Sequence, residues 1–317
     1  MPGLVAVHAH PDDETLATGA LLATYAAAGA PVTVVTCTRG ERGEVIGERL
    51  AHLEGDGPAL AAHREGELAA ALASLGVRDH VFLDTVARPG SPAVRYEDSG
   101  MAWVGTSQAG AGSDVPPDAF VRADLEDAAR RLARVLRERR PDVVVTYDPQ
   151  GGYGHPDHVR AHEVTSLAVE LAAAEGDEHP PLPAPVVLWA AQGERALRTA
   201  YRALASAAVQ EGLRADDARA LPDPDGALPA VAVPDERLDV LVDTPRVLPA
   251  VLGAMRAHAT QVQSVAPVDV PGLLGRYALS LGRLEPVLPA EAYRVPDGTP
   301  RAAVLAAAWP AGITPVA

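Results

Sequence analysis

The stretch GLVAVHAHPDDE, Gly3 to Glu14, joins an apolar run to two histidines and three acids. The run is short and nearly continuously apolar, which is how a strand buried on both faces of a parallel sheet is written. The same signature recurs in PVTVVTCT (31–38), HVFLD (80–84), DVVVTY (142–147) and PVVLWAA (185–191). Helical patterns lie between the first four of these, over Glu14–Ala28, Pro58–Leu75 and Asp118–Arg139, and another, Pro156–Ala174, follows the fourth. Gly29 and Gly76 stand where the first two helices should stop. Strands alternating with helices imply βαβ units with right-handed crossovers. The expected fold is therefore α/β: a Rossmann-like, doubly wound, mostly parallel sheet with helices on both faces.

The pattern weakens beyond about residue 214. LDVLVD (238–243) reads as a strand and RVLPAVLGAMRAHATQV (246–262) as a helix, while the last ~50 residues are punctuated by proline. We expect a single domain over 1–317, with a core to about residue 214 and a smaller C-terminal region, about 215–317, packing on it. Two connections, 39–57 and 85–117, are long enough to suggest function or mobility.

Composition narrows the function. A formal charge of −15 from 42 acids and 27 arginines is the reverse of a nucleic-acid surface. No apolar run reaches the length of a membrane span, and no secretory leader is visible at the N-terminus, so a cytoplasmic location is expected. The single cysteine, Cys37, lies in an apolar run and reads as a buried small hydrophobe. Lysine and asparagine are absent, which removes P-loop and Schiff-base chemistry.

The motif HAHPDDE (8–14) sits at the carboxyl end of the first strand, where open α/β sheets bind ligands. A glycine-rich phosphate turn would stand there in a dinucleotide-binding protein. This chain has His10, Asp12 and Asp13 instead, which favour a cation and repel a phosphate. A second His-Pro-Asp occurs in GGYGHPDHVRAH (151–162), after the strand 142–147. Either copy alone could cap a helix; two copies at corresponding strand–helix junctions argue for one shared ion. His10, Asp13 and His158 would supply two imidazoles and a carboxylate with a position left open, as at catalytic zinc sites. Asp12 reads as a base or as a fourth ligand. His8 could support the site or be a satisfied buried histidine. His162 is expected to be peripheral, and His52, His63, His80 and His179 to lie at the surface.

HAHPDDE and GYGHPDH together resemble the zinc-dependent N-acetylglucosaminyl deacetylases of the PIG-L/LmbE type. TCTRGERGEVIG (36–47), HREGELAAAL (63–72), EDSGM (97–101) and AHATQV (257–262) extend the likeness, most nearly to the branch that removes acetate from GlcNAc-inositol in mycothiol biosynthesis. The resemblance implies one Zn2+ per chain (Fe2+ suits the same donors), held by His10, Asp13 and His158, with Asp12 as general base. It implies that Tyr153 and a protonated His155 stabilise the oxyanion, that Asp157 orients His155, and that Arg64 and Asp98 hold substrate hydroxyls. The expected partner is a small amino-sugar inositol, with no nucleic acid and no membrane. A mycothiol S-conjugate amidase is the alternative within the family. Outside it stand a metal-dependent phosphoesterase using Arg39 and Arg42, and a non-catalytic metal- or sugar-binding module.

Overall fold

The computed structural model describes residues 2–88, 90–103, 109–112, 114–174, 180–206 and 220–316. Its strands are β1 (Leu4–His8), β2 (Val32–Thr36), β3 (Asp79–Phe82), β4 (Met101–Trp103), β5 (Ala109–Ala111), β6 (Val143–Thr146), β7 (Val186–Gly193), β8 (Ala232–Val233), β9 (Val240–Asp243), β10 (Gln263–Val270), β11 (Leu273–Ala278), β12 (Leu284–Val287), β13 (Ala290–Arg294) and β14 (Ile313–Pro315). The helices are α1 (Asp13–Ala27), α2 (Gly57–Leu75), α3 (Leu125–Arg139), the single turn α4 (Gly151–Gly154), α5 (Pro156–Ala173), α6 (Glu194–Leu204), α7 (Leu248–Ala257) and α8 (Arg301–Ala306).

The main sheet runs β3-β2-β1-β6-β7-β13-β9-β14. Pairing is parallel from β3 to β7 and antiparallel from β7 through β13 and β9 to β14. Alternate residues of β1 enter opposite cores, as the two-residue period of a strand requires. Leu4 and Ala6 join Val32 and Val34 in a core that includes Leu21 and Leu22 of α1, Leu68 and Leu72 of α2 and Val251 of α7. Val5 and Val7 pack on the other face with Leu132 and Leu136 of α3 and Val164 and Ala168 of α5. The sheet is thus covered on both faces, as a doubly wound fold demands.

Caps set the helix limits. Gly76 ends α2 with φ 78°, and Gly29 follows α1 with φ 72°, both where left-handed backbone favours glycine. The sequence suggested a helix from Asp118; α3 begins later, at Leu125, because the Asp124 carboxylate accepts the Asp127 N–H at 2.7 Å and caps it there. Helix α7 ends at Ala257, so the HATQ segment lies beyond it. Residues after 215 do more than pack on the core. Three of their strands, β9, β13 and β14, extend the main sheet, and α7 packs against α1 and α2. His179 falls outside the described residues.

Sheet order sets the position of the site. β1 is flanked by β2 on one side and β6 on the other. The chain leaves the carboxyl ends of β1 and β6 at the switch point, and both His-Pro-Asp segments follow directly.

Candidate metal and amidohydrolase centre

The turn after β1 is held by its own acids. The His10 N–H donates to Asp13 Oδ2 at 2.9 Å, and the Asp12 N–H donates to Glu14 Oε2 at 2.9 Å. Asp12 stands at φ 112°, ψ −35°, one of three non-glycine residues with positive φ among the described residues. Such a conformation costs about 1–3 kcal/mol and persists only where the surroundings impose it. It projects two consecutive carboxylates, Asp12 and Asp13, into one cavity of about 420 Å³ that His10, Tyr153, His155 and His158 also line.

The second segment meets the first from β6. Gly151 and Gly152 take φ 68° and 70°, and His155 caps α5. His155 Nδ1 accepts the Asp157 N–H at 3.1 Å, so its ring proton belongs on Nε2. His158 Nδ1 donates to the Gly151 carbonyl at 3.2 Å, which leaves the Nε2 lone pair facing the cavity. Tyr147 stacks on the His158 ring at 4.1 Å and 15°, and its hydroxyl accepts the Ala9 N–H at 2.9 Å.

Donor groups crowd here. His10, His155 and His158 offer nitrogens within 4.8 Å of one another, as do donors of His10, Asp98, His155 and Asp157. Asp13 bridges two of these histidines, with Oδ2 at 3.2 Å from His10 Nδ1 and Oδ1 at 3.3 Å from His158 Nε2. His158 Nε2 is buried and has no hydrogen-bond partner among the described residues. Two acceptors facing each other at this distance call for a cation between them. Ligands each 2.0–2.1 Å from a tetrahedral ion stand roughly 3.3 Å apart. The residues fit a metal site.

The local field follows from burial and charge. Burial opposes the His10 charge, but Asp98, Asp13 and Asp157 together raise its pKa well above the usual value. Burial pushes Asp12 up to about 6, against the pull of Arg64. Asp13 is held well below the ordinary carboxylate range: burial works against this, and His158 and His10 outweigh it. Burial, then His10 and His158, depress His155 far below its normal value. His155 is therefore a neutral Nε2–H donor, not the protonated residue expected from the sequence.

Asp157 also departs from expectation. Its amide caps onto His155, so its carboxylate turns away to accept Ser99 Oγ at 2.5 Å and the Ser99 N–H at 2.9 Å. The same carboxylate lies 3.2 Å from His10 Nε2. Arg64 is buried, with its guanidinium 3.4 Å from Asp12 Oδ2 and donating to the Pro11 and Gly40 carbonyls. It lies against Gly40 and Gly43, where a side chain would collide with it. Asp98 accepts the Gly100 N–H at 2.8 Å, as a turn cap would, and still reaches within 3.7 Å of His10 Nε2.

The peripheral histidines sort by partner. His8 is buried and bonds Thr18 at 2.9 Å; His162 bonds the Tyr147 carbonyl at 2.9 Å. His80 is half-buried beside Thr36, and His63 lies 3.3 Å from Glu67. Cys37 is buried, as expected. Arg39 is buried in ion pairs with Asp84 and Glu65, which removes it as a phosphate contact. The sequence assigns no role at the site to Ser99, Tyr147, Glu14 or His258. Only Tyr147 carried a local signal, its place at the end of β6.

A doubly wound α/β sheet with imidazoles and carboxylates gathered at its switch point, around a cavity, is the plan of a hydrolytic enzyme built on a metal site. The family model described as PIG-L, GlcNAc-PI de-N-acetylase, matches residues 5–169. The chain belongs to this family, and it is a hydrolytic deacetylase. It is 48% identical over 296 residues to a 1D-myo-inositol 2-acetamido-2-deoxy-alpha-D-glucopyranoside deacetylase of Kineococcus radiotolerans, covering 92% of this chain and 76% of that protein. A protein of the same name from Kribbella flavida is 44% identical over 303 residues, covering 93% and 92%. Among solved structures, GalB, the 4-carboxy-2-hydroxymuconate hydratase of Pseudomonas putida KT2440, is similar in fold, with 21% identity, a TM-score of 0.52 and coverage of 82% and 80%. That likeness concerns architecture only, since one fold hosts many reactions. Among the described residues no helix is long and apolar enough to cross a membrane.

Proposed function

We propose that this chain hydrolyses the N-acetyl group of 1D-myo-inositol 2-acetamido-2-deoxy-alpha-D-glucopyranoside (GlcNAc-inositol) to GlcN-inositol and acetate. One juxtaposition carries the reading: Asp12 stands beside Asp13, His10 and His158 on the wall of one cavity. The family membership and the names of the relatives supply the substrate class.

His10, Asp13 and His158 would hold the metal, which we take to be one zinc per chain; iron(II) suits the same donors. Asp13 is preferred to His155 because it touches both other ligands, while His155 Nδ1 is occupied by the Asp157 amide. When bound, such an ion lowers the pKa of water and polarises a carbonyl.

Asp12 would take the proton from the attacking water and pass it to the departing amine. A positioned base of this kind contributes typically ~10²–10⁴-fold. Burial keeps its pKa at about 6, near enough to neutrality for both roles. Tyr153 is half-buried beside His155 and His158, and its pKa is raised far above normal by desolvation of its hydroxyl and by Asp13. It stays a neutral O–H donor. Tyr153 and the His155 Nε2–H would together stabilise the tetrahedral oxyanion; one such donor is worth roughly 3–4 kcal/mol. The C–N bond then breaks, giving acetate and a free amine.

Arg42, Glu44, Arg64 and Asp98 line the part of the cavity toward β2 and β3, where sugar hydroxyls would find charged partners. The cavity also extends along α1 and α7, where Leu16, Ala17, Val251 and Met255 line it, and to β7 and β13, which add Gln192 and Glu291. That extension favours a second activity, cleavage of mycothiol S-conjugates, whose acyl part is larger. Turnover of GlcNAc-inositol and of a conjugate, measured on zinc-loaded protein, decides the order. Stoichiometric acetate and GlcN-inositol are expected; much faster cleavage of the conjugate would overturn the primary reading.

A further inference from the structure

Asp12 needs an explanation that its immediate neighbours do not supply. Its φ of 112° is one that a side chain rarely adopts, yet the residue sits at the centre of the site. Its carbonyl accepts the N–H groups of Thr15 and Leu16, at 3.0 and 2.9 Å, as the first acceptor of α1. Its own N–H points the other way, to Glu14 Oε2.

The second oxygen of Glu14 is equally committed. Oε1 accepts Thr15 Oγ1 at 2.5 Å and His258 Nε2 at 2.7 Å. Both Glu14 and His258 are fully buried, and 244 residues separate them. Neither lines the cavity, although Asp12, Asp13 and Thr15 do. They cannot touch substrate from where they stand, and Glu14 reaches the cavity wall through the Asp12 N–H and Thr15 Oγ1 that it accepts.

His258 is itself anchored. Its carbonyl accepts the Gln261 and Val262 N–H groups, at 3.0 and 2.8 Å. Two residues on, Glu67 of α2 accepts the Thr260 N–H at 2.8 Å and Thr260 Oγ1 at 2.6 Å. The Thr260 carbonyl accepts the Ile46 N–H at 2.9 Å, and Gln261 donates to the Glu44 carbonyl at 3.0 Å. The segment 258–261 thus joins the HPDDE turn, α2 and the loop 39–47.

We propose that Glu14 and His258 are positioning residues for the reaction: His258 fixes the Glu14 carboxylate, which fixes the Asp12 main chain in the conformation that aims its side chain into the cavity. The proposal rests on the reading of Asp12 as the base. Without the His258 bond the Glu14 carboxylate keeps only Thr15 Oγ1 and the Asp12 N–H, so its hold on the Asp12 N–H loosens and the backbone can relax toward negative φ. A displacement of about 1 Å in a reacting group is enough for ~10²-fold in rate.

The test is a double-mutant cycle on zinc-loaded protein. His258→Phe, His258→Gln and Asp12→Asn are made singly, and each His258 variant is also combined with Asp12→Asn. We measure kcat, KM and zinc per chain. His258→Phe should lower kcat by about 10–100-fold with KM and zinc content within about twofold of the parent. His258→Gln, which keeps a donor for Glu14, should recover most of that loss. In the Asp12→Asn background neither substitution should cost anything further, because the group they position is already gone. Should His258→Phe fail to fold, Glu14→Gln takes its place in the cycle. An equal loss in both backgrounds, a loss that follows zinc content, or an unchanged kcat would each overturn the proposal. Full activity in Asp12→Asn alone would instead overturn the base reading, and the two failures are told apart.

Discussion

His158 Nε2 and Asp13 Oδ1 face each other at 3.3 Å, while His158 Nδ1 donates to the Gly151 carbonyl, so Nε2 is the ring atom turned toward the carboxylate. Two buried acceptors so placed repel unless a cation lies between them. Chelation should therefore abolish acetate release and lower Tm, and zinc should restore both. Affinity should also rise with pH. Asp98 and the other acids favour a proton on His10, and binding must displace it. A chelator competition at pH 6 and pH 8 measures this. Equal affinity at both would mean that His10 does not bind the ion.

Asp12 and Arg64 set the acid side of the pH–rate profile. Asp12 must be ionised to accept a proton, so activity is lost as pH falls through its pKa. Burial places that pKa at about 6, and Arg64 pulls it down. A bound dication lowers it further, so the acid limb of kcat should fall at or below pH 6. Arg64→Ala removes the cation 3.4 Å from Asp12 Oδ2 and should move the limb upward, by ~1 unit. A limb that stays in place, with only KM raised, would assign Arg64 to substrate alone.

Gly151 and Gly152 offer a contrast. Both have positive φ, but a Cβ on Gly151 would lie 2.8 Å from the Val159 nitrogen and 2.9 Å from His158 Cβ, while one on Gly152 meets nothing within 4 Å. Gly151→Ala should push His158 away from Asp13 and break its bond to the carbonyl, weakening metal affinity about 10–100-fold. Gly152→Ala should carry only backbone strain and keep its metal. Metal titration of the two purified variants separates these outcomes; equal affinities would place the His158 ring outside the donor set.

Much of this arrangement was legible because it is local. The His10–Asp12–Asp13 turn and the His155–His158 turn each lie within a few residues of a strand end, and the parallel strands that carry them announce themselves by continuous apolar runs. The limit of α3 was misjudged because one capping carboxylate, Asp124, outweighed the helical pattern before it. β9 was legible in LDVLVD, but its neighbours β13 and β14 were harder for a different reason. They are short and antiparallel, and what defines them is pairing with distant partners rather than their own period. The Asp157 carboxylate could not be placed from sequence either, since its direction depends on Ser99, 58 residues away.

Glu291 shows how such a distant strand bears on the whole fold. It lies on β13, and its carboxylate accepts the Ala20 and Leu21 N–H groups of α1 and the Tyr293 hydroxyl. Burial nevertheless pushes its pKa to about 7, from 4.5. A carboxyl raised on folding is bound to its proton more tightly in the native state than in the unfolded chain. Its contribution to stability is therefore greatest below pH ~4.5 and is lost as pH rises toward 7. The shift corresponds to something on the order of 3 kcal/mol. Glu291→Gln cannot ionise, so its stability should fall less between pH 5 and pH 8 than that of the parent, even though an amide replaces one acceptor and lowers stability at both. Denaturant unfolding at the two pH values measures the difference of differences. Parallel pH dependence in the two proteins would mean that Glu291 ionises in the folded state as easily as in the unfolded chain.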